Sequence, residues 1–295
     1  MSIEVKLKKG VNINLLGEAD KVVTESPKAE TFAIKPPDFA GVVPKLLVKA
    51  GEEVKAGTPL FFDKNNEKVL FSSPVSGEVA EIKRGAKRRI LEVIILADKE
   101  VKYEDFGTTP LGELSREQVI EKMLKSGLWP LVRQRPFDVI ANPANSPKAI
   151  FISAFNTGPM AADNDFIMHR KDEMFQEGLN VLAKLTDGKV HLNINGAIKA
   201  DEAFLNAKGV QINKFRGPHP AGNVGVQIHH IDPINKDEVV WTLNPQDVLI
   251  IARLFKEGKV DMERTIALTG SEVKQPKYYR MLVGQSVKNV LQNNI

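Results

Sequence analysis

Three of the five histidines, His219, His229 and His230, fall with Asp232 in one stretch from Lys214 to Pro233. Imidazole nitrogens with a carboxylate are what a divalent transition metal takes. On a strand, however, adjacent residues point to opposite faces, so His229 and His230 cannot join one site without a bend. Hydrogen-bonded loop histidines are the simpler reading. Pro218 and Pro220 fix φ, whereas Gly217, Gly222 and Gly225 free it, and Val224, Val226 and Ile228 alternate. The stretch reads as a surface loop feeding a short strand or the start of a helix.

A second set, Asp163, Asp165 and Asp172 around His169 and Arg170, has the residue types of acid–base work. Carboxylates also gather at a helix start, where they cap amides and complement the dipole, and that reading needs no ligand. The chain holds no Gly-x-x-x-x-Gly-Lys-Ser/Thr, Gly-x-Gly-x-x-Gly, His-Glu-x-x-His or Gly-x-Ser-x-Gly. The strong phosphate, zinc and serine-nucleophile signatures are therefore missing. Zero cysteines exclude disulfides, thiolate metal sites and cysteine-held iron–sulfur clusters. Trp129, Phe137 and Phe155 are expected in the core rather than stacked on a cofactor.

The elements that must position these residues follow from the rest of the chain. At 295 residues and 42% hydrophobic content, it suits about two well-cored domains. No apolar run approaches the roughly 18–20 residues of a membrane-spanning helix, and the start Met1-Ser-Ile-Glu-Val-Lys has no secretory hydrophobic region. Formal net charge is only +4, too slight to argue for nucleic acid.

Residues 1–30 are irregular, with Val11-Asn-Ile-Asn-Leu-Leu as the alternating run, and are expected as an extended N-terminal leader. Residues 31–102 are short apolar runs between Gly and Pro turns, which predicts an all-β module. Its tip Lys83-Arg-Gly-Ala-Lys-Arg-Arg89 reads as a solvated basic hairpin. From 103 to 258, after a linker near Tyr103–Pro110, strands and helices alternate. Ser115 with Gln118 predicts a capped helix that Gly127 ends; Lys148–Phe155, Lys189–Asn195, Val210–Asn213 and Glu238–Leu243 read as strands. Met168–Leu185, Ala200–Ala207 and Pro245–Lys256 read as helices. That alternation predicts a parallel, Rossmann-like α/β layer whose ligand edge lies at the strand carboxyl ends. Phe155, Asn156, Arg216 and His219 fall on that rim. Residues 259–295 read as strand, turn at Gln275-Pro276, strand and helix, stopping at Ile295 in mid-element. The expectation is that the natural chain continues by a domain or more.

Val48-Lys-Ala-Gly-Glu-Glu-Val-Lys-Ala-Gly-Thr-Pro-Leu and Ser72-Ser-Pro-Val-Ser-Gly-Glu-Val-Ala-Glu-Ile resemble the two halves of a biotinyl/lipoyl-type barrel-sandwich domain. In carrier members of that family a modified lysine precedes the second motif. Here the count from Pro74 lands on Asn66, with Lys64 and Lys68 out of register, so an unmodified copy is expected.

Three longer stretches are more specific: Ser126-Gly-Leu-Trp-Pro-Leu-Val-Arg-Gln-Arg-Pro-Phe137, Pro147-Lys-Ala-Ile-Phe-Ile-Ser-Ala-Phe-Asn-Thr-Gly-Pro-Met-Ala-Ala-Asp163, and Phe215-Arg-Gly-Pro-His-Pro-Ala-Gly-Asn-Val-Gly225. With the order of parts, they resemble the NqrA family, subunits of the sodium-translocating NADH:quinone oxidoreductases. More distantly the chain is similar to the Rnf complex C subunit and the flavin subunit of respiratory complex I. The implied fold is α+β multidomain: a barrel-sandwich module, a Rossmann-like domain resembling a flavin domain without its flavin, and the start of a β-grasp domain. Those relatives use a glycine-rich loop for a flavin phosphate, whereas the turn after Ser126-Gly127-Leu128 goes to Trp129-Pro130, which denies close backbone approach.

The resemblance implies a peripheral subunit on the cytoplasmic face of the bacterial inner membrane, contributing to complex assembly and quinone binding. It implies no redox cofactor on this chain, with NADH, FAD, FMN, riboflavin, iron–sulfur and ubiquinone handled by other subunits. The chief partner is the membrane subunit carrying covalent flavin. The expected quinone or docking rim is Phe155, Asn156, Arg216 and His219, where a donor meets a quinone carbonyl beside an aromatic face. The competing readings are a stand-alone flavin- or nucleotide-binding oxidoreductase and a barrel-sandwich carrier.

Overall fold

The computed structural model describes residues 2–292 and 294–295. In chain order the first part is all strand: β1 (Glu4–Lys6), β2 (Asp20–Glu25), β3 (Thr31–Ile34), β4 (Pro44–Leu46), β5 (Glu53–Val54), β6 (Pro59–Asp63), β7 (Asn66–Ser72), β8 (Gly77–Arg84) and β9 (Ile90–Ala97). Then come α1 (Arg116–Lys125), β10 (Arg133–Arg135), β11 (Val139–Ile140), β12 (Ala149–Ser153), α2 (Asn164–Met168), α3 (Asp172–Ala183) and β13 (Lys189–Asn195). The last part holds α4 (Glu202–Leu205), β14 (Gln211–Arg216), α5 (Val224–Ile231), β15 (Val240–Leu243), α6 (Pro245–Glu257), β16 (Glu263–Leu268), β17 (Lys277–Leu282) and α7 (Lys288–Leu291).

Strands β3 to β9 form the barrel-sandwich: one sheet runs β3-β9-β8-β5 and the other β4-β6-β7. Phe61 and Phe71 stack in its core at 4.5 Å, and Phe39 meets Phe71 edge-on at 4.6 Å. The β6–β7 hairpin turns at Lys64-Asn65, and Asn66 opens β7. The basic stretch Lys83–Arg89 closes the β8–β9 hairpin, where Lys83 pairs with Glu92 at 3.1 Å.

The larger sheet has the order β1-β14-β13-β12-β15-β10-β11. From β12 the chain winds outward through β13 to β14, then returns to place β15 on the other flank of β12, parallel throughout. The winding reverses between β12 and β15, which is where doubly wound sheets open a ligand crevice beyond the strand carboxyl ends. One face packs α3 and α6, with Phe175, Leu179, Leu182, Val248, Ile251 and Leu254 meeting Ile150, Ile152, Leu192 and Trp241. Helix ends are set by caps. Ser115 Oγ accepts from the Gln118 amide while Gln118 Oε1 accepts from Ser115 N at 2.8 Å, and Asn244 with Asp247 repeats the device before α6.

Residues 2–30, expected with Met1 as a leader, carry β1 and β2, and these strands are built into two sheets. β1 pairs parallel with β14 (Val5 opposite Phe215), and β2 pairs parallel with β17. The expected opening of a β-grasp unit accordingly forms the sheet β16-β17-β2, with α7 after it.

Three local expectations are corrected and one open alternative is decided. The helix expected over Met168–Leu185 is two helices, broken at His169–Lys171. Arg170 sits at φ 62, a left-handed conformation that stops an α-helix, and His169 turns out to bond Asp201 at 3.0 Å. The opening Lys214–Arg216 of the histidine-rich stretch is strand, because β1 on the sheet edge pairs with it and Phe215 is fully buried. Val224, Val226 and Ile228 alternate, and of the strand and helix readings left open for them the structure takes the helix: Val224, Ile228 and Ile231, at helical spacing on α5, pack against Phe151. Phe137, expected in the core, is 83% exposed at the tip between β10 and β11.

Candidate functional site

Beyond the carboxyl ends of β12 and β15 lies a cavity of about 490 Å³. Ser153, Phe155 and Asn156 come to it from β12 and the residues after it, Asn244 from the end of β15, and Asn164 from the start of α2. Gly222, Asn223 and Val224 bring the amino end of α5, and Arg135 enters from β10. Four amide side chains and one guanidinium thus converge on a crevice at the reversal of the sheet. Arg135 Nε is buried without a hydrogen bond, 3.6 Å from Asp138 Oδ1. Amides offer both donors and acceptors, so this lining can meet the carbonyl or hydroxyl of a flat polar group.

The four residues expected on the rim are divided by the structure. Phe155 and Asn156 do line the crevice, but Phe155 is only 7% exposed and packs with Phe215 and Ala221. It forms part of the wall rather than an open stacking face. His219 lies one residue layer out. Thr157 Oγ1 accepts from the Gly222 amide at 3.0 Å and stands 3.0 Å from His219 Nδ1, so its own proton is left to give to that nitrogen. A neutral His219 then carries its proton on Nε2. Arg216 is farther still, its Nε pairing with Glu4 Oε1 at 2.9 Å on the edge strand β1. Arg135, Asn164, Asn223 and Asn244 were not anticipated from the sequence. Asn223 and Asn244 adjoin apolar residues, but Arg135 and Asn164 carry no such signal.

A file of polar side chains, buried from Asn213 to Gln227, leads to the same crevice. Lys189 Nζ donates to Gln211 Oε1 (2.9 Å), Gln211 Nε2 to Asn213 Oδ1 (2.9 Å), and Asn213 Nδ2 to Asn193 Oδ1 (2.8 Å). Asn193 Nδ2 donates to Gln227 Oε1 (2.9 Å), Gln227 Nε2 to Ser153 Oγ (2.9 Å), and Ser153 Oγ to the Gly222 carbonyl (3.0 Å). Every link points the same way, which strengthens each bond through its neighbours. The crevice wall formed by Gly222 and Phe155 is thereby tied to the middle of the sheet.

Two domain models of one family match this chain. The NqrA N-terminal barrel-sandwich hybrid domain matches residues 5–98, and the NqrA second alpha/beta domain matches residues 114–260. The chain belongs to the NqrA family. It is 40% identical over 288 residues to the NqrA protein of the Na(+)-translocating NADH-quinone reductase of Neisseria meningitidis (serogroup A, strain Z2491), covering 97% of this chain and 64% of that one. The NqrA protein of Yersinia pseudotuberculosis (strain IP 31758) is 39% identical over 289 residues, with the same coverage. The chain therefore spans 64% of the length of these relatives. Among solved structures, an NAD+-reducing [NiFe]-hydrogenase in the air-oxidized state is similar over 65% of this chain and 44% of that one, at 14% identity and a TM-score of 0.42. A likeness that slight decides nothing about this chain.

Within this NqrA-family chain, the turn after Ser126-Gly127-Leu128 is filled by its own side chains. Trp129 is fully buried, donates from Nε1 to the Ala141 carbonyl at 2.7 Å, and meets Trp241 edge-on at 5.4 Å. The acidic set around His169 is a capping arrangement. Asp163 Oδ1 accepts from the Phe166 amide at the start of α2, Asp165 Oδ1 accepts from Asp201 N at 2.6 Å, and Asp201 caps α4. Burial pushes the Asp165 carboxyl above its ordinary value. Among the described residues no three His, Asp or Glu side chains gather as a metal-holding group; His229 and His230 sit at the end of α5, ring to ring at 5.2 Å.

Proposed function

We propose that this chain works as the NqrA component of a sodium-pumping NADH:quinone reductase, a peripheral protein on the cytoplasmic side beside the membrane subunit that carries covalent flavin. In this reading the chain carries no redox cofactor of its own. The observation that carries the assignment is the match of both domains, in order, to one family whose members bear that name. The described residues contain no helix long and apolar enough to cross a membrane, in keeping with a peripheral position. The filled turn at Trp129 supports the absence of a flavin phosphate cradle at that place.

The crevice between β12 and β15 is the place we assign to a quinone headgroup. Asn156, with the amino end of α5, faces the ring oxygens, and the rim residues His219 and Arg216 shape the approach. NADH, FAD, FMN, riboflavin, iron–sulfur and ubiquinone chemistry would then belong to the partner subunits. The assignment is tested by pull-down from detergent-solubilised membranes: the full-length protein travels with an integral membrane flavoprotein. A visible flavin spectrum from the purified chain favours instead a stand-alone flavin oxidoreductase. For the site, Asn156→Ala and His219→Ala in the assembled complex are expected to lower quinone-dependent turnover severalfold while NADH oxidation with an artificial acceptor is kept. Unchanged turnover and inhibitor binding in both variants rule the crevice out.

A further inference from the structure

Between β1 and β2 the chain crosses the outside of the molecule, and every apolar side chain on the way from Gly10 to Gly17 is at least half exposed: Val11 69%, Ile13 60%, Leu15 50% and Leu16 85%. These residues are held out rather than left loose. Gly10, at φ +145, lies so close to the His219 carbonyl that a Cβ would stand 2.0 Å from its oxygen; Gly17, at φ +99, approaches the Gly270 carbonyl to 2.4 Å in the same sense. Hydrogen bonds fasten both ends. Val11 N donates to His219 O (3.1 Å), His219 N to Asn12 Oδ1 (2.9 Å), and Gly270 N to Gly17 O (3.0 Å). A clamped, contiguous run of exposed aliphatics marks an interaction site.

The charge beside the strip indicates what it meets. Lys6, Lys8 and Lys9 lead into it, all exposed, and none forms an ion pair among the described residues. Because β1, β14 and β13 are parallel, their carboxyl ends share one edge, which adds Lys199 and the 57%-exposed Ile198 after β13. Protein–protein interface cores are depleted of lysine, and their dominant contacts favour Trp, Tyr and Arg over Val and Leu. Aliphatics flanked by lysines are instead what the boundary of an anionic bilayer accepts: the apolar groups enter the acyl boundary and the ammonium groups stay with the phosphates.

We propose that residues 6–17 form a spur that contacts an anionic phospholipid surface, with Val11, Ile13, Leu15 and Leu16 entering the interface and Lys6, Lys8 and Lys9 meeting the headgroups. This rests on the reading of the chain as a peripheral component of a membrane complex. The test is co-sedimentation of the chain with vesicles of phosphatidylcholine, with and without phosphatidylglycerol. The chain is expected to sediment with the anionic vesicles, and binding falls when NaCl is raised to about 0.5 M. Each lysine near such a surface changes partition about fivefold, so Lys8→Gln with Lys9→Gln lowers it about 25-fold on anionic vesicles. Ile13→Asp with Leu16→Asp lowers it roughly tenfold or more even at low salt. Circular dichroism and melting temperature stay as in the wild type, since these side chains are exposed.

Failure of the wild-type chain to sediment with anionic vesicles overturns the inference, and so does undiminished binding by the aspartate pair. Self-association that the aspartate pair abolishes, without vesicle binding, assigns the strip to a second copy and overturns it too. Vesicle binding and co-purification with the membrane flavoprotein fail independently. Loss of the first alone removes the spur and leaves the assignment to the complex standing.

Discussion

On one face of the seven-stranded sheet, Ile150, Ile152, Val190, Leu192, Ile194, Trp241 and Leu243 lie under α3 and α6 in a continuous apolar core. On the other face, His191 and Asn193 of β13 and Asn213 of β14 lie under α5, buried just as completely, with Gln227 reaching down to them. The first face is held by volume and contact, the second by pairing of donors with acceptors. An apolar core tolerates swaps of similar size, whereas a buried amide file tolerates only partners that complete it. The polar face is also the one that ends at the crevice. Specificity of position is concentrated where a ligand would sit, and bulk stability is supplied from the opposite side.

The largest effect expected from this contrast is on the apolar face. Leu192→Ala leaves a cavity beneath α3 and α6 and should cost roughly 3–4 kcal/mol in chemical denaturation, with the polar file still in place. A loss below about 1 kcal/mol shows that the face is not the main source of stability.

Next comes pH. His191 stacks on Phe151 at 4.4 Å, and burial pushes its imidazole down from 6.5 to about 4. Asp232 pulls the other way and Lys189 with the burial, but burial dominates. The unfolded chain takes up the proton below pH 6.5 while the folded chain refuses it until about pH 4. The stabilisation is therefore complete above pH 6.5, declines as pH falls between the two values, and is flat below; the integral is up to about 3 kcal/mol. His191→Gln should remove that slope from the stability–pH curve. An unchanged slope means His191 is solvated in solution and the face is less dry than described.

A smaller loss, about 2 kcal/mol, is expected from Asn193→Ala, which strands the Gln227 carbonyl oxygen and one Asn213 amide donor. The sharper measurement is the double-mutant cycle with Gln227→Ala. Coupling of about 1 kcal/mol or more is expected for neighbours in one file. Additivity means the amides act singly, and the distinction between the two faces collapses to burial alone.

The sequence made the frame of this molecule readable and hid much of the site. Lys148–Phe155, Lys189–Asn195 and Pro245–Lys256 announce themselves because strongly apolar runs and a proline-started amphipathic helix leave few alternatives, and the Ser115–Gln118 box fixed the start of α1. In β13 the order Val190-His-Leu-Asn-Ile194 shows the polar–apolar alternation of a strand with one wet face. Nothing local says that α5 covers that face, so the amide file was invisible. α5 itself alternates over Val224, Val226 and Ile228, and only its packing on Phe151 decides for a helix. β1 and β2 were missed because a three-residue Glu-Val-Lys and a mostly exposed six-residue strand have no apolar signature of their own. Their partners lie near the other end of the chain. Of the rim, Phe155 and Asn156 were legible from the rule that ligands collect at strand carboxyl ends. Arg135, from the antiparallel strand β10, was not, since that rule speaks only of the parallel ones.

The pairing of β1 with β14 and of β2 with β17 sets an order of events during synthesis. Glu4–Lys6 and Asp20–Glu25 leave the ribosome well before their neighbours Lys214–Arg216 and Lys277–Arg280. At roughly 5–20 residues per second that is an interval of tens of seconds at the slower rates. The barrel-sandwich, whose two sheets pair only strands within residues 31–97, can close during that wait. The segment holding β1 and β2 meanwhile carries unpaired strand edges and the aliphatic run Val11–Leu16 through solvent, so these early-made strands are gathered in only when β14 and β17 arrive.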